Sequence, residues 1–369
     1  MTDFQILLFL WLFSTVILVW IMPKKWQLDL IAVSSLAFIG IFSPWSCAWL
    51  IGASLLVYTS TAVSPRSRPI LIAVAILVIS IVFVVYKGLA PSLENASVAL
   101  PVMLGLSYYS CRHIHVLLEV YKGAISSISL REYFHYQFFL PVLVAGPIHR
   151  FQNFKRQSER RRLDKYDITS GLERILYGYV KIVLIGNYLL NAKLGVYLDQ
   201  HVSDGFLGLF LLSAEHWLYI YAEFSGYTDV ALGFSLMMGF RIEENFNYPL
   251  RARNLIDFWE RWHITLSGWC KDYVFSPVQA KTRNQLFAVF SAMVVMGIWH
   301  EVSLYYFLWG LYHALGISLC RFYQLSKDPL KLSAMPAGVR GAITGAATFG
   351  WLIGGTPVIM LVLSFIGMS

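Results

Sequence analysis

The chain has 369 residues, of which 57% are hydrophobic, 16% aromatic and only 14% charged, with a mean hydropathy of +0.60. This composition excludes a water-soluble domain, and apolar stretches recurring from end to end exclude both a soluble domain on one anchor and a folded enzyme behind a removable signal peptide. The net charge of +8 sits largely in short segments between apolar spans, where Lys and Arg are a topology signal; without an exposed aromatic-bearing domain it provides no nucleic-acid-reading surface.

Hydropathy predicts about ten spans. In chain order they are Ile6 to Met22, Leu28 to Phe42, Trp45 to Tyr58, Ile70 to Tyr86, Val98 to Tyr109, Ile175 to Leu190, Phe206 to Tyr221, Leu286 to Trp299, Leu304 to Cys320 and Ala342 to Ile366. The first lacks a small-residue cleavage site and reads as a retained helix. Several are shorter than the roughly 17 residues a crossing needs, so tilted, re-entrant or protein-buried segments are expected among them. The basic positions Lys24, Lys25, Arg66, Arg68 and the run from Arg150 to Lys165 all fall on the cytoplasmic side under the positive-inside rule. That places the amino terminus outside, with the apolar stretch Phe138 to Ile148 re-entrant and the turn Asp199 to Asp204 outside.

From Gly239 to Arg283 the character changes: charges of both signs, Pro249 and Pro277, and frequent aromatics. The segment is too polar to span and too aromatic to be free coil, which predicts an amphipathic stretch at the cytoplasmic face or one entering a protein-lined cavity. Cys47, Cys111, Cys270 and Cys320 are scattered, with no CxxC pair and no metal-ligand spacing.

Ionisable groups in apolar surroundings are the candidates for chemistry. His300 ends an apolar span in Met296-Gly297-Ile298-Trp299-His300-Glu301, and His263 lies in Arg261-Trp262-His263-Ile264-Thr265-Leu266-Ser267. A buried ionisable group in a membrane segment is costly unless paired or hydrated, so His300 is a functional candidate, with a structural histidine bonded between helices as the competing reading. A neutral imidazole suits a general base for a hydroxyl group at neutral pH. No Gly-x-Ser-x-Gly elbow or Walker loop is present, and no Ser-His-Asp triad can be assembled from spacing. Glu223 and Asp229 read equally as helix-helix bonding groups or as part of a proton or substrate path, and His313 reads as structural. His113, His115, His135 and His149 are expected near a solvated or headgroup-facing surface. The basic run from His149 to Lys165 suits anionic headgroups, an acidic carrier protein or a phosphate-rich donor.

Taken together, Phe224-Ser225-Gly226-Tyr227-Thr228-Asp229, Met238-Gly239-Phe240-Arg241, Glu244-Asn245-Phe246-Asn247-Tyr248-Pro249, the stretch Asp257 to Ser267 and Gly297-Ile298-Trp299-His300 resemble the bacterial membrane-bound O-acyltransferase family. Pro141 to Ile148 resembles its Pro…Gly-Pro element, and the likeness runs from about Tyr108 to His313. Within the family the alginate and peptidoglycan O-acetyltransferases and the teichoic-acid D-alanyl transfer proteins are most similar. The resemblance implies an all-α polytopic fold around a transmembrane tunnel, in a single membrane domain over 1–369: N-terminal helices over 1–107, a catalytic core over 108–320 and a C-terminal loop and helix over 321–369. It implies a multi-pass protein of the bacterial inner (cytoplasmic) membrane that takes an acyl group from a cytoplasmic thioester, acyl-CoA or an acyl carrier protein. The acceptor would be a hydroxyl of an envelope polysaccharide or a periplasmic relay protein, with an exported acyltransferase as partner and no resident cofactor or metal. His300 is then catalytic, His263 the second histidine, and Trp262, Ser267, Asn247 and Trp299 shape the cavity.

Two departures stand out. Glu301 occupies the position where the family usually has Gly after Trp-His, adding a carboxylate beside His300. A single span follows Arg340, where alginate-type members usually carry further helices. The rival class is a transporter or channel with an intramembrane His and acid pathway, for which matching halves of an inverted repeat are expected and none is seen.

Overall fold

The computed structural model describes residues 3–64, 66–95, 103–202, 205–326, 330 and 332–366. The regular elements are helices, in the order α1 (Asp3–Ile21), α2 (Gln27–Phe42), α3 (Pro44–Ala62), α4 (Arg68–Asn95), α5 (Leu106–Tyr121), α6 (Leu130–Gln137), α7 (Phe151–Arg160), α8 (Lys165–Tyr179), a π-helical stretch Val180–Gly195, α9 (Val196–His201), α10 (Phe206–Met237), α11 (Leu255–Arg261), α12 (Ile264–Cys270), α13 (Ser276–Thr282), α14 (Gln285–His300), α15 (Leu304–Leu325) and α16 (Ala337–Phe365). Among the described residues, five helical segments, Phe4–Ile21, Lys24–Phe42, Arg68–Gly88, Lys165–His201 and Ala337–Phe365, are long and apolar enough to cross a membrane. The chain is therefore all-α and polytopic, because in hydrocarbon every backbone polar group must be satisfied within its own segment. The predicted spans at Trp45, Phe206, Leu286 and Leu304 also fall on helices, whereas the one from Val98 to Tyr109 begins outside the described residues and is helical from Leu106. The helices fall into two compact units, one of residues 1–180 and 226–243, the other of residues 181–225 and 244–369.

In the first unit, polar side chains join apolar helices. Trp11 Nε1 donates to Ser34 Oγ at 2.9 Å, tying α1 to α2, and Trp20 Nε1 donates to the Met237 carbonyl at 2.8 Å. Asp229 on α10 pairs with Arg174 on α8 at 3.0 Å, so this acid joins two helices. Much of the basic run also works internally. Arg161 is buried over the rings of Trp20 and Phe240 and donates to the Met238 carbonyl at 2.7 Å, while Lys155 pairs with Glu132 at 2.8 Å. Arg156, Arg160, Arg162 and Lys165 remain exposed.

The expectation of solvated histidines at 113, 115, 135 and 149 is overturned, since all four are buried. Their side chains are absorbed by packing among α5, α6, α2 and the turn before α7. His113 Nδ1 meets Tyr133 Oη at 2.5 Å, His115 Nε2 accepts from Phe151 N at 3.1 Å, and His135 Nε2 meets Asp29 at 2.8 Å. The His149 ring stands edge-on to Tyr136, whose hydroxyl donates to the His149 carbonyl at 2.7 Å. Burial pushes the His113 and His115 rings down to about 3, and His149 well below its ordinary value. A histidine held neutral in the fold stabilises it fully above its unfolded value of about 6.5 and loses that contribution as pH falls through it. Thermal unfolding in detergent should thus be flat above about pH 7 and decline below it, each ring costing about 1.4 kcal/mol at pH 5.5. His115→Gln should shallow the slope, and an unchanged midpoint between pH 7.5 and 5.5 would refute the buried-neutral state.

The second unit is organised on the antiparallel pair α14 and α15. A Cβ built on Gly297 would lie 2.2 Å from the Tyr306 carbonyl oxygen, and one on Gly310 2.6 Å from that of Met293, so the two backbones touch where only glycine fits. Helix α16 packs on α15 through the Tyr312 and Trp351 rings, stacked at 4.5 Å, and through the Tyr312 hydroxyl donating to the Trp351 carbonyl at 2.9 Å. Ala252, Leu255, Phe258 and Leu352 form a core surrounded by Trp217, Trp259, Trp262 and Phe349.

Candidate functional site

The residues that carry the motifs come together within the second unit. Helix α14 starts at Asn284, whose side chain accepts from Phe287 N at 3.0 Å. It stops at His300 because Glu301 turns extended, with φ −160°. Ser303 caps α15, accepting from Tyr306 N at 3.3 Å, so three residues join the helices and the glycine contact fixes the corner. His300 is thereby set among rings: Trp299 at 5.0 Å, Tyr306 stacked at 5.6 Å and Trp309 at 5.4 Å.

His263 arrives from a different element. Helix α11 is capped by Asn254, which accepts from Asp257 N at 2.9 Å, and braced by Arg261 donating to Asp257 at 2.6 Å. The chain then turns through Trp262 into His263, which adopts the left-handed conformation, φ 44° and ψ 50°, immediately before α12. The segment 245–247 clamps this turn. Ile264 N donates to the Asn245 carbonyl at 2.9 Å, Asn247 N to the Arg261 carbonyl at 3.0 Å, and Thr265 Oγ1 to Asn245 Oδ1 at 2.6 Å. The buried His263 ring meets Phe224 edge-on at 4.6 Å and Trp299 at 5.5 Å. Burial, and then the nearby His300, hold this imidazole well below its ordinary value, so it is neutral. Among the described residues its Nε2 has no hydrogen-bond partner, a costly state for a buried polar atom unless a ligand or water completes it.

Trp299 therefore stands between the two histidines of the motifs. Trp262 stacks with Trp217 at 5.4 Å and Phe258 at 5.5 Å, supporting the wall rather than facing His300. Ser267 donates to the Trp262 carbonyl at 3.1 Å and lines an adjoining cavity. Asn247 is exposed and contributes backbone: its amide holds the turn and its carbonyl accepts from Arg261 at 3.2 Å. Glu301 is half-buried at the end of α14.

His313, read from sequence as structural, joins the same aromatic row. It is buried one turn after Trp309, with ring centroids 4.4 Å apart, and meets Trp259 at 5.4 Å, while its Nδ1 lacks a partner among the described residues. The i, i+4 spacing of Trp309 and His313 was the available signal, since it puts both on one helical face. The row Phe224, His263, Trp299, His300, Trp309, His313 thus holds three imidazoles at ring contact. Asn245→Ala should cost about 1–3 kcal/mol by removing the side-chain bond from Thr265 Oγ1 that braces the turn. Lowered thermal stability together with loss of whatever activity depends on His263 is the expected result; an undisturbed midpoint would show the clamp to be dispensable.

Comparison with known proteins places these residues in context. Residues 2–353 match the profile described as MBOAT, membrane-bound O-acyltransferase family. A protein described as probable alginate O-acetylase AlgI, from Pseudomonas fluorescens, is 29% identical over 337 residues, 89% of this chain and 64% of the relative. The teichoic acid D-alanyltransferase of Bacillus subtilis is 30% identical over 60% of this chain and 59% of its own length. The peptidoglycan O-acetyltransferase of Helicobacter pylori is 29% identical over 63% and 49% respectively. The chain thus spans about half to two-thirds of the length of the curated relatives it matches.

Proposed function

Because the chain belongs to the membrane-bound O-acyltransferase family, we propose that it moves an acyl group, in the first instance acetyl, from a cytoplasmic thioester to a hydroxyl of an envelope polysaccharide or of a periplasmic relay protein. The observation that carries this reading is the ring row in which His300 lies one Trp from the buried, neutral His263. Acyl-CoA or an acyl carrier protein supplies the thioester, and an exported acyltransferase is the expected partner on the receiving side. The helices would surround a tunnel joining the two faces of a bacterial cytoplasmic membrane.

His300 takes the proton of the acceptor hydroxyl as its oxygen attacks the thioester carbonyl. The resulting tetrahedral oxyanion collapses by breaking the C–S bond, and the leaving thiolate recovers the proton from His300, so that ester and thiol are formed with no net proton change. His263, with an unpartnered ring nitrogen, positions the donor, and Trp299 separates the two imidazoles while excluding water. Trp262, Ser267 and the Asn247 backbone hold the wall behind it, and Glu301 lies beside the corner where the acceptor would approach.

The test is transfer of label from acetyl-CoA and, in parallel, from an acetylated carrier protein, into envelope glycan and protein fractions of membranes carrying the chain. Label in a hydroxyl ester, released by mild base, is the expected outcome, and the fraction that holds it names the acceptor. Failure of both donors against every fraction, with the protein folded and present, would overturn the reading.

A further inference from the structure

A cavity of about 700 Å³ opens on the second unit beside the histidine row, within the range of about 300–1,000 Å³ typical of small-molecule pockets. Its long wall is one face of α14, from Gln285 through Val289 and Met293 to Met296, faced by Ile317 of α15. Eleven residues of helix between Gln285 and Met296 give it a length of roughly 16 Å. Met296 and Trp259 line it as well, and most of its lining is apolar.

The mouth differs from the wall in two ways. Leu286, Phe322 and Leu325 line it while 55%, 70% and 66% exposed, which suits contact with lipid rather than water. Lys271 and Arg321 also line the cavity, with Glu260 the one carboxylate among its lining residues. Among the described residues neither cation is in an ion pair; Arg321 donates only to its own helix neighbour Gln324, at 3.3 Å. Two exposed cations without an ion-pair partner among the described residues thus line an apolar cavity as long as a fatty chain.

We propose that this cavity binds one anionic glycerophospholipid from the surrounding bilayer. An acyl chain lies along α14 toward Met296, and the phosphate is held between Lys271 and Arg321. A water-borne thioester would need a hydrated entrance, whereas an occupant sliding in from the membrane would not. The inference stands independently of acyl transfer and concerns a resident lipid of the fold.

The test uses the full chain in detergent and measures equilibrium binding of labelled dioleoyl phosphatidylglycerol, with unlabelled dioleoyl phosphatidylcholine, dihexanoyl phosphatidylglycerol and palmitoyl-CoA as competitors. The expected result is one saturable site per chain that the zwitterionic lipid and the short-chain lipid do not empty. K271Q/R321Q should weaken it about tenfold or more, and Met293→Trp, which fills the slot, should remove it. R160Q/R162Q, which removes exposed cations of the first unit, should leave it unchanged, and a matched thermal midpoint in lipid-free detergent establishes that each variant is folded. Equal displacement by phosphatidylcholine, retention of the site in folded K271Q/R321Q, or tighter binding of palmitoyl-CoA than of phosphatidylglycerol would overturn the proposal, the last by making the slot a donor-chain site.

Discussion

Membranes carrying His300→Ala should transfer label from acetyl-CoA to envelope acceptor about 10²–10⁴-fold more slowly than wild type at matched protein level, the span expected when a general acid-base is removed. The size follows from its position. His300 is half-buried at the end of α14, touching Trp299, Tyr306 and Trp309 by ring contact, and truncating it opens space at a helix terminus rather than in the main core. Thermal unfolding should accordingly move little while transfer collapses. His313→Phe refines the result, because it keeps an aromatic ring against Trp309 and Trp259 while removing the nitrogens. An intermediate loss, seen in the rate rather than in donor saturation, would mark His313 as a positioning residue behind His300. Equal labelling by wild type and His300→Ala would remove His300 from the chemistry and return it to a structural role.

Gly297→Ala should be among the most damaging single-methyl changes at the described glycines. The added carbon would sit 2.2 Å from the Tyr306 carbonyl oxygen, a backbone atom that no rotamer change can move aside. The helices must part, at a cost of at least the 1–3 kcal/mol typical of overpacking, roughly. Tyr306 stacks on His300, so the same displacement disturbs the histidine row. A lowered unfolding midpoint, poor recovery of monodisperse protein and reduced transfer are all expected, while Gly341→Ala, with nothing within 4 Å of the added carbon, should behave as wild type. A Gly297→Ala protein as stable as Gly341→Ala would show that α14 and α15 do not meet as described.

Composition and hydropathy made the polytopic all-α class legible because in a bilayer the solvent itself writes the pattern: long apolar runs such as Ile70 to Tyr86 have few other uses. His300 and His263 were legible for a related reason, as ionisable groups embedded in aromatic and apolar surroundings. What a residue-by-residue reading lacked was partnership. Each of His113, His115 and His149 scores as polar wherever it lies, and only the folded chain supplies the Tyr133 hydroxyl, the Phe151 amide and the Tyr136 ring that bury them. His313 reads from its aromatic-rich span as structural, and its burial against Trp309 and Trp259 agrees with that while adding a neighbourhood the sequence did not offer, the row with His300. The cations of the cavity were invisible as a pair, being 50 residues apart and joined only when the residue that follows α12 and helix α15 line one cavity.

The left-handed backbone at His263 makes every conventional replacement there ambiguous. Alanine at φ 44° keeps the strain while losing the ring that rests on Phe224 and Trp299, so a dead His263→Ala enzyme would not distinguish chemistry from geometry. Glycine accepts that conformation freely. A His263→Gly chain would keep the turn held by Asn245 and leave a ring-shaped vacancy, into which free imidazole from solution can be offered. Position 263 is therefore a place where a side chain can be separated from its own backbone and returned as a reagent.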